Sequence, residues 1–284
     1  MPFSIKSDNV QLVPLQGQER ACEVVIKVGE QRVPLETYLI GVIAAEMPAS
    51  FHLEALKAQA IAARTYALKK TEFGELPIQA TTAHQVYETK EEREEKWQAV
   101  SSQYESKIEQ AVRETAGLVA MYDAELITAM FHASSFEMTE SAKNYSGNSL
   151  SYLQSVATTE ISDDERSYTV NELNQKLATS FSLQQYARAK LTLNDSGRVA
   201  TVTIGQQQWS GRTFRELLAL KSTAFTINII EGKVHIRTKG YGHGVGMSQY
   251  GANEMASRGE RAEDILRHYY QGIEITSYTC KKDV

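Results

Sequence analysis

Apolar and polar residues alternate near the start of this chain, and the pattern changes to a helical spacing at about Glu36. The alternation over residues 9–16 and 21–34 predicts strands. From Glu36 onward, apolar residues recur at i, i+3 and i+4 until Pro48, which disfavours helix at the residue before it. The first helix is therefore predicted to end beside Glu46, with this carboxylate at the last place of the apolar stripe.

A second helix is predicted over residues 52–70, which are rich in alanine and other strong helix formers. Lys57 and Arg64 are seven residues apart, so they lie on one side of this helix, about 10 Å apart along its axis. The ordinary interpretation of two such cations is a solvated helix side. The alternative is a pair of cations that serves a catalytic or binding site.

The middle of the chain predicts one long amphipathic helix, about residues 90–116, which opens with a run of charged residues. Its apolar stripe most simply packs on the core, and the alternative is a groove for a partner protein. Residues 134–151 are polar and small, and connections of that length are often functional. Residues 152–157 predict another strand.

Further helices and strands follow without a regular βαβ repeat, so we predict a mixed α+β fold. Residues 233–239 alternate as a half-buried strand does. They lead into a glycine-rich segment, residues 240–252, in which glycine occupies every second position from Gly240 to Gly246. A helix is predicted to begin within this segment.

Glycine lacks a Cβ atom, so such a run can adopt positive φ repeatedly and bring backbone amides close to a ligand. Together with the helix start, the glycine-rich segment is predicted to bind acyl, phosphate or sugar oxygens. Its spacing matches neither a dinucleotide loop nor a phosphate loop. The ordinary alternative is a glycine-rich turn that happens to contain His243.

The 284 residues carry a net charge of −5, so their overall charge does not favour binding to nucleic acid. Neutral glycans are compatible with this charge as partners. No apolar run approaches the roughly 20 residues that span a bilayer, and the first residues lack the features of a signal peptide. The six histidines show no metal-binding spacing. The two cysteines, Cys22 and Cys280, do not show whether they form a disulfide bond or in which cellular compartment the protein acts.

Glu46 combines two features of a catalytic acid. Burial and the negative end of the helix dipole both favour its protonated form, which can donate a proton to the leaving oxygen of a glycosidic bond. The usual glycosidase plan needs a second carboxylate, for which Glu137 and Glu140 are candidates. A lone acid suffices when the substrate's own 6-hydroxyl attacks, which is a lytic transglycosylation. The ordinary alternative for Glu46 is a glutamate that turns into solvent.

Three motifs of this chain resemble the stage II sporulation protein D family, which also includes the amidase-enhancer proteins of the bacterial cell wall. They are YLIGVIAAEMP (residues 38–48), EALKAQAIAARTYA (residues 54–67) and GYGHGVGMSQYGA (residues 240–252). All three are long and specific. Weaker matches at residues 85–87 and 152–156, and near Thr139-Glu140, extend the resemblance over most of the chain.

The resemblance implies a lytic transglycosylase that cleaves the β-1,4 bond between N-acetylmuramic acid and N-acetylglucosamine. Its substrate is peptidoglycan glycan stripped of stem peptides by a partner amidase during engulfment in endospore formation. Such a protein acts between the mother-cell and forespore membranes, beside other membrane proteins of the engulfment machinery. An N-terminal membrane helix normally tethers it, and we expect that this helix is missing here. The alternatives are a non-catalytic glycan-binding enhancer of a cell-wall amidase and a simple glycan hydrolase.

The resemblance also places roles on residues. The family's catalytic glutamate falls on Glu46, and its functionally important lysine and arginine fall on Lys57 and Arg64, which we expect to hold Glu46 or the sugar's lactyl carboxylate. We predict that substrate is bound by Gln59, Tyr66, Ser134, Thr139, Glu140, Tyr241, His243, Ser248, Gln249 and Tyr250.

Some relatives bind zinc through histidine and cysteines in the part that corresponds to residues 132–145. This chain has His132 there and no cysteine, so we expect no zinc and no other cofactor. We predict one catalytic region over residues 1–284, with residues 80–116 as an insertion or docking subdomain. The glycine-rich segment is expected to form one wall of the glycan cleft that holds Glu46.

Overall fold

The computed structural model describes residues 11–13, 24–81 and 84–279. These residues form a mixed α+β structure with small sheets, which confirms the predicted fold class. They fall into two compact units: the first within residues 1–130 and 255–284, the second residues 131–254. Cys22 and Cys280 lie outside the described residues. None of the helices in the described ranges is long and apolar enough to cross a bilayer.

Over the described residues the helices are α1 (Leu35–Glu46), α2 (Leu53–Thr71), α3 (Lys90–Trp97), α4 (Ser101–Glu114), α5 (Ala142–Ser146), α6 (Val170–Leu177), α7 (Leu183–Ala187), α8 (Gly211–Leu218), α9 (Gln249–Ser257) and α10 (Ala262–Tyr269). The strands are β1 (Gln11–Val13), β2 (Val25–Val28), β3 (Gln31–Pro34), β4 (Leu118–Tyr122), β5 (Glu125–Leu126), β6 (Phe131–His132), β7 (Phe136–Met138), β8 (Ala157–Ile161), β9 (Asp163–Tyr168), β10 (Lys190–Leu193), β11 (Val199–Ile204), β12 (Gln207–Ser210), β13 (Ala224–Ile230), β14 (Lys233–Lys239), β15 (Met247–Ser248) and β16 (Glu274–Thr279).

Helix α2 is the centre of the first unit. Six of its alanines have no exposed surface, namely Ala55, Ala58, Ala60, Ala62, Ala63 and Ala67. Methyl side chains let neighbouring backbones approach closely, so α1, α4, α10 and β4 all pack around α2. The unit also contains the antiparallel sheet β1-β16-β4-β5 and the hairpin β2-β3.

The first two helices follow the sequence prediction closely. Helix α1 ends at Glu46, and Met47 has extended backbone before Pro48, as the steric rule for residues before proline requires. Helix α2 begins at Leu53 and ends at Thr71. The end of α1, and with it the position of Glu46, was therefore predictable from local sequence alone.

The single helix predicted over residues 90–116 is divided in two. Helix α3 ends at Trp97, a short 3-10 turn covers Gln98–Val100, and α4 begins at Ser101. Gln98 has φ of 48°, a left-handed conformation that no α-helix accommodates. Helix α4 does pack its apolar stripe on the core as predicted.

Two other predictions in the middle of the chain are corrected. Residues 152–157 were predicted as a strand, but the Leu153 amide donates to the Leu150 carbonyl at 3.0 Å, a short-range hydrogen bond that removes Tyr152 and Leu153 from an extended chain. They form a turn, and β8 begins only at Ala157. The polar connection predicted over residues 134–151 contains β7 and α5.

The second unit contains two three-stranded antiparallel sheets, β10-β11-β12 and β13-β14-β9. A cluster of buried apolar residues from both sheets and from α6, α7 and α8 forms its core. The parallel pair β6-β15 joins His132 to Ser248 in register. This pairing brings the end of the glycine-rich segment beside the start of the polar connection.

Candidate functional site

Glu46 is half-buried at the end of α1, and the backbone of residues 85–88 runs beside it. The Val86 amide donates a hydrogen bond to Glu46 Oε1 at 3.0 Å. Two residues further on, the Glu88 amide donates to the Gly41 carbonyl at 3.2 Å. The carboxylate is thus oriented by a backbone donor from a segment that is itself tied to α1.

A group of tyrosine rings lies along the part of α1 that precedes Glu46. Tyr38 stacks on Tyr87 with ring centroids 5.4 Å apart, and its hydroxyl donates to Gln85 Oε1 at 3.1 Å. Burial, with smaller effects of Tyr66 and Glu46, raises the pKa of Tyr38 above its usual range. Burial also raises the pKa of Tyr66. Both phenols are therefore protonated at neutral pH, and the Tyr38 hydroxyl already donates its hydrogen bond to Gln85.

The residues of α2 that were predicted to belong to the site lie on two opposite faces of the helix. Tyr66 is nine residues beyond Lys57, which rotates it by about half a turn around the helix, whereas Gln59 and Tyr66 share one face. Tyr66 is partly exposed on the side of Tyr38 and Glu46. Gln59 is fully buried, and in the described part of the chain neither of its side-chain polar atoms has a hydrogen-bond partner.

Lys57 joins three helices of the first unit. Its Nζ forms ion pairs with Glu54 at 2.8 Å and with Glu114 of α4 at 2.6 Å. Glu54 in turn accepts a hydrogen bond from the Ala262 amide at the start of α10. The contacts of Lys57 therefore link packed helices of the first unit. Lys57 pairs with Glu54 and Glu114, and not with Glu46 as expected.

Arg64 is fully buried, so the interpretation of a solvated helix side is wrong for it. Its guanidinium pairs with Glu36 through two hydrogen bonds, at 2.9 Å and 2.6 Å, and also donates to the Leu118 carbonyl at 3.1 Å. Glu36 lies in the first turn of α1, about 15 Å along the helix axis from Glu46. The expected contact of Arg64 with Glu46 is therefore replaced by a partly buried ion pair at the other end of α1.

The glycine-rich segment adopts the backbone that its sequence predicts. Gly240, Gly242, Gly244 and Gly246 have φ of 75°, 115°, 84° and 73°. Its amides, however, are used inside the protein: Gly240 donates to the Ser162 carbonyl, Tyr241 to the Ser134 carbonyl and Gly242 to the Lys221 carbonyl. This corrects the expectation that the amides of these three residues point outward to a ligand.

The predicted binding residues around this segment differ in exposure. Ser134, Thr139, Ser248 and Gln249 are buried, whereas Tyr241 and Tyr250 are about half exposed. Ser134 Oγ hydrogen-bonds Ser162 Oγ at 2.7 Å, and Thr139 Oγ1 accepts from the Val156 amide at 2.9 Å. Ser248 Oγ accepts from the Gly251 amide at the start of α9. The side chains of Ser134, Thr139 and Ser248 thus form hydrogen bonds within the protein, Gln249 is buried directly after Ser248 in the sequence, and the two tyrosines are the members exposed to solvent.

Glu140 is buried and its carboxylate is fully engaged. Oε1 accepts from the Ser141 amide at 3.0 Å and from Asn144 Nδ2 at 2.9 Å, and Oε2 accepts from Asn194 Nδ2 at 2.8 Å. The Glu140 amide donates to the Gly244 carbonyl. This carboxylate therefore fixes Asn144, Asn194 and the glycine-rich segment, and none of those partners was indicated by the sequence.

His243 is partly buried among aromatic rings and arginines. Its Nδ1 accepts from the Val245 amide at 3.0 Å, and its ring centroid is 5.4 Å from that of Tyr145. Burial, together with the positive charges of Arg215, Arg198 and Arg212, lowers the pKa of His243 from 6.5 to about 4. The imidazole is neutral at physiological pH, with Nδ1 as an acceptor.

A polar cavity of about 240 Å³ opens beside His243 in the second unit. Its polar and aromatic lining includes Glu140, Asn144, Tyr145, Arg212, Arg215 and His243. We refer to it below as the Arg215 cavity.

Sequence reasoning identified Glu140 and His243 but missed Tyr145 and the two arginines. The only sequence signal for the arginines is their i, i+3 spacing on α8, which is equally typical of a solvated helix side.

The residues of this chain do not fit the zinc site of some relatives. His132 is buried, and residues 132–145 contain no thiolate to join it. Within the described ranges, no group of three or more His, Cys, Asp or Glu side chains is placed to hold a metal ion. The expectation that the protein needs no cofactor stays a prediction.

Replacing Gly41 with Ala is expected to disturb the orientation of Glu46. A Cβ atom at Gly41 would lie 2.4 Å from the Tyr87 ring and 2.5 Å from the Glu88 carbonyl oxygen, so the segment that carries Val86 must shift. We expect a loss of about 1–3 kcal/mol in the free energy of unfolding, measured by urea denaturation. Thr37→Ala, at an exposed position of the same helix, is the control, and equal stability of the two variants would contradict the tight contact.

The lowered pKa of His243 predicts a dependence of stability on pH. Between pH 6.5 and about 4 the unfolded chain binds a proton at this imidazole and the folded chain does not, so stability falls as the pH falls. A pKa lowered from 6.5 to about 4 corresponds to a loss of about 3 kcal/mol in the free energy of unfolding across this pH range. Relative to the unmodified protein, His243→Asn should therefore gain stability between pH 7 and pH 4. Parallel stability curves for the protein and His243→Asn would refute the lowered pKa.

Comparison with known proteins points to one family. The family model described as SpoIID, stage II sporulation protein, matches residues 27–122, which include Glu46, Lys57 and Arg64. Stage II sporulation protein D of Bacillus amyloliquefaciens is 38% identical over 259 residues, covering 87% of this chain and 75% of the relative. The protein of the same name from Bacillus subtilis (strain 168) is 38% identical over 262 residues, with the same coverage of both chains.

A second kind of relative carries a different name. The amidase enhancer of Bacillus subtilis (strain 168) is 31% identical over 301 residues, covering 84% of this chain and 40% of the relative. Each of these three matches covers more than four fifths of this chain. The similarity therefore extends well beyond the residues that the family model matches.

Proposed function

The chain belongs to the stage II sporulation protein D family, and from this membership we propose that it is a lytic transglycosylase of peptidoglycan. It cleaves the β-1,4 bond between N-acetylmuramic acid and N-acetylglucosamine in glycan strands without stem peptides. The observation that carries the proposal is the environment of Glu46, a half-buried carboxyl at a helix end that the Val86 amide orients and that is near enough to the buried Tyr38 to raise the pKa of that phenol.

A single carboxyl group can perform both proton transfers of this reaction. Protonated Glu46 gives its proton to the glycosidic oxygen as the bond from the anomeric carbon to that oxygen breaks. The 6-hydroxyl of the same muramic acid residue then attacks the anomeric carbon, and its proton passes to the Glu46 carboxylate. The products are a 1,6-anhydro sugar and a new free 4-hydroxyl, and Glu46 is again protonated.

A hydrolytic mechanism requires a second carboxylate to activate water or form a covalent intermediate. Glu140 was a sequence candidate, but both of its oxygens accept hydrogen bonds from Ser141, Asn144 and Asn194. A carboxylate held in this way is poorly placed to take a proton from water. This observation favours intramolecular attack by the 6-hydroxyl over hydrolysis with Glu140 as the base.

The proposal includes the setting in which the enzyme acts. Its work is the removal of glycan during engulfment, outside the cytoplasm between the mother-cell and forespore membranes, with an N-terminal membrane helix as its tether. Its partners are a cell-wall amidase, which supplies peptide-free strands, and membrane proteins of the engulfment machinery. The similarity to an amidase enhancer supports the amidase as a partner.

That same similarity favours one competing function, a glycan-binding enhancer that has no catalytic step of its own. Product analysis separates the candidates. Purified peptide-free glycan is incubated with the protein, with and without a cell-wall amidase, and the products are identified by mass spectrometry. Anhydro ends support the transglycosylase, and reducing ends indicate a hydrolase. Uncleaved glycan together with a faster amidase reaction would establish the enhancer instead.

A further inference from the structure

The Arg215 cavity contains a partly buried guanidinium that forms no ion pair with a described carboxylate, and the hydrogen-bonded Glu140 carboxylate lines the same cavity. The Arg215 side chain is partly buried, and its Nε donates to the Leu220 carbonyl at 3.1 Å. In the described part of the chain no carboxylate forms an ion pair with it, since neighbouring Glu216 pairs with Arg212. A partly buried charge without an ion-pair partner loses hydration that nothing replaces, so this guanidinium is suited to receive an anion from outside.

Arg212 adds a second charge on the same face of α8, three residues from Arg215. Its guanidinium carbon lies 4.9 Å from the centre of the Tyr145 ring, and its Nε pairs with Glu216 at 2.9 Å. The stacked ring and the ion pair hold Arg212 at the cavity. Two guanidinium groups in one small space match the geometry of a carboxylate, because each offers several donors in one plane.

The rest of the cavity suits a sugar rather than a simple ion. Tyr145 offers an aromatic surface, Val199 and Ala200 add apolar surface, and Asn144 and Asn194 are fixed by Glu140. A volume of about 240 Å³ is the space of about eight water molecules. This holds a three-carbon acid and part of the ring that bears it.

We propose that the Arg215 cavity binds the free lactyl carboxylate of an N-acetylmuramic acid residue, with Arg215 as its principal counter-charge and Arg212 as the second. The proposal rests on the proposed function for its choice of a glycan ligand. It moves the lactyl contact from Lys57 and Arg64, which are held in ion pairs with little exposure of their own side chains, to the second unit. There Arg215 has no ion pair, and the pair of Arg212 with Glu216 is exposed to solvent.

The proposal gives a physical reason for a preference for peptide-free strands. A stem peptide is joined to the lactyl group through an amide, which removes the negative charge and adds bulk. The Arg215 cavity then loses its ion pair with the ligand, and the partly buried Arg215 again has no ion-pair partner. Strands that still carry peptides are therefore rejected, and strands processed by an amidase are accepted.

The test compares binding of N-acetylmuramic acid, its lactyl methylamide, N-acetylglucosamine and inorganic phosphate to the full chain by NMR titration. We expect N-acetylmuramic acid to bind at least about thirtyfold more tightly than the methylamide, which keeps the sugar and lacks the charge. Arg215→Met should lose the same factor and Arg212→Met a smaller one. Arg188→Met, an exposed arginine of the same unit outside the cavity, should bind as the unmodified protein does.

Equal binding of the acid and the methylamide would overturn the proposal, and this comparison holds even if Arg215→Met does not fold. Unchanged affinity in a folded Arg215→Met variant would also overturn it. Phosphate that binds as tightly as the acid would show a general anion site instead of a sugar site. Binding is measured independently of cleavage, so a protein that binds the acid selectively but cleaves no glycan would refute the transglycosylase and leave this site in place.

Discussion

Replacing Glu46 with Gln should lower the rate of cleavage of peptide-free glycan by at least about a hundredfold. The amide keeps the shape of the side chain, and its oxygen can still accept the hydrogen bond from the Val86 amide. It carries no acidic proton, so neither transfer to the glycosidic oxygen nor recovery of the 6-hydroxyl proton can occur. The measurement is the rate at which anhydro ends appear, at equal protein concentration.

The matched control is Glu75→Gln, an exposed glutamate of the same unit that should cleave at the unmodified rate. Circular dichroism and the urea midpoint of both variants show whether the fold is intact. Full cleavage by a folded Glu46→Gln variant would remove Glu46 from the mechanism and, with it, the main support for the proposed function. Loss of cleavage in the Glu75 control would point to a general effect of charge.

Replacing Arg64 with Met should lower the free energy of unfolding by about 3 kcal/mol. The change removes two hydrogen bonds to Glu36 and leaves the Leu118 carbonyl without its guanidinium donor. We expect the lower end of the usual range for a broken buried pair, because 38% of the Glu36 side chain is exposed and keeps some hydration. Urea denaturation of the variant and the unmodified protein gives the difference directly.

The double variant Glu36→Gln with Arg64→Met separates pairing from packing. If the ion pair is the main contribution, the double variant loses clearly less stability than the two single variants lose together. Unchanged stability in Arg64→Met, accompanied by lost cleavage, would instead return Arg64 to the catalytic role that the family resemblance implies. Strictly additive losses would show that Glu36 and Arg64 act independently.

Local sequence rules were sufficient for the first unit's main features. The steric effect of Pro48 placed the end of α1, and alanine content placed α2. Gln98 shows where such rules stop: glutamine carries no signal for a left-handed conformation, so the break between α3 and α4 could not be foreseen. The helical period placed Arg64 on the side of Lys57, but only the packing of α1 shows that it pairs with Glu36.

Only those residues of the candidate site that lie in sequence motifs could be predicted. Glu46 and His243 stood out because each lies in a distinctive local pattern. The Arg215 cavity draws Tyr145 and Arg215 from positions 70 residues apart, and neither belongs to a motif. That Glu46 and the glycine-rich segment share one cleft stays a prediction.

The alternating left-handed glycines have a thermodynamic consequence for the second unit. Ordering each of them costs about 0.5–1 kcal/mol more conformational entropy than ordering an alanine, so four together oppose folding by about 2–4 kcal/mol. The hydrogen bonds to Ser134, Ser162, Lys221 and Glu140 offset this cost. Because the glycines are close neighbours, weakening one of these bonds loosens the residues beside it as well. The segment that carries His243 should therefore open and close as one cooperative piece.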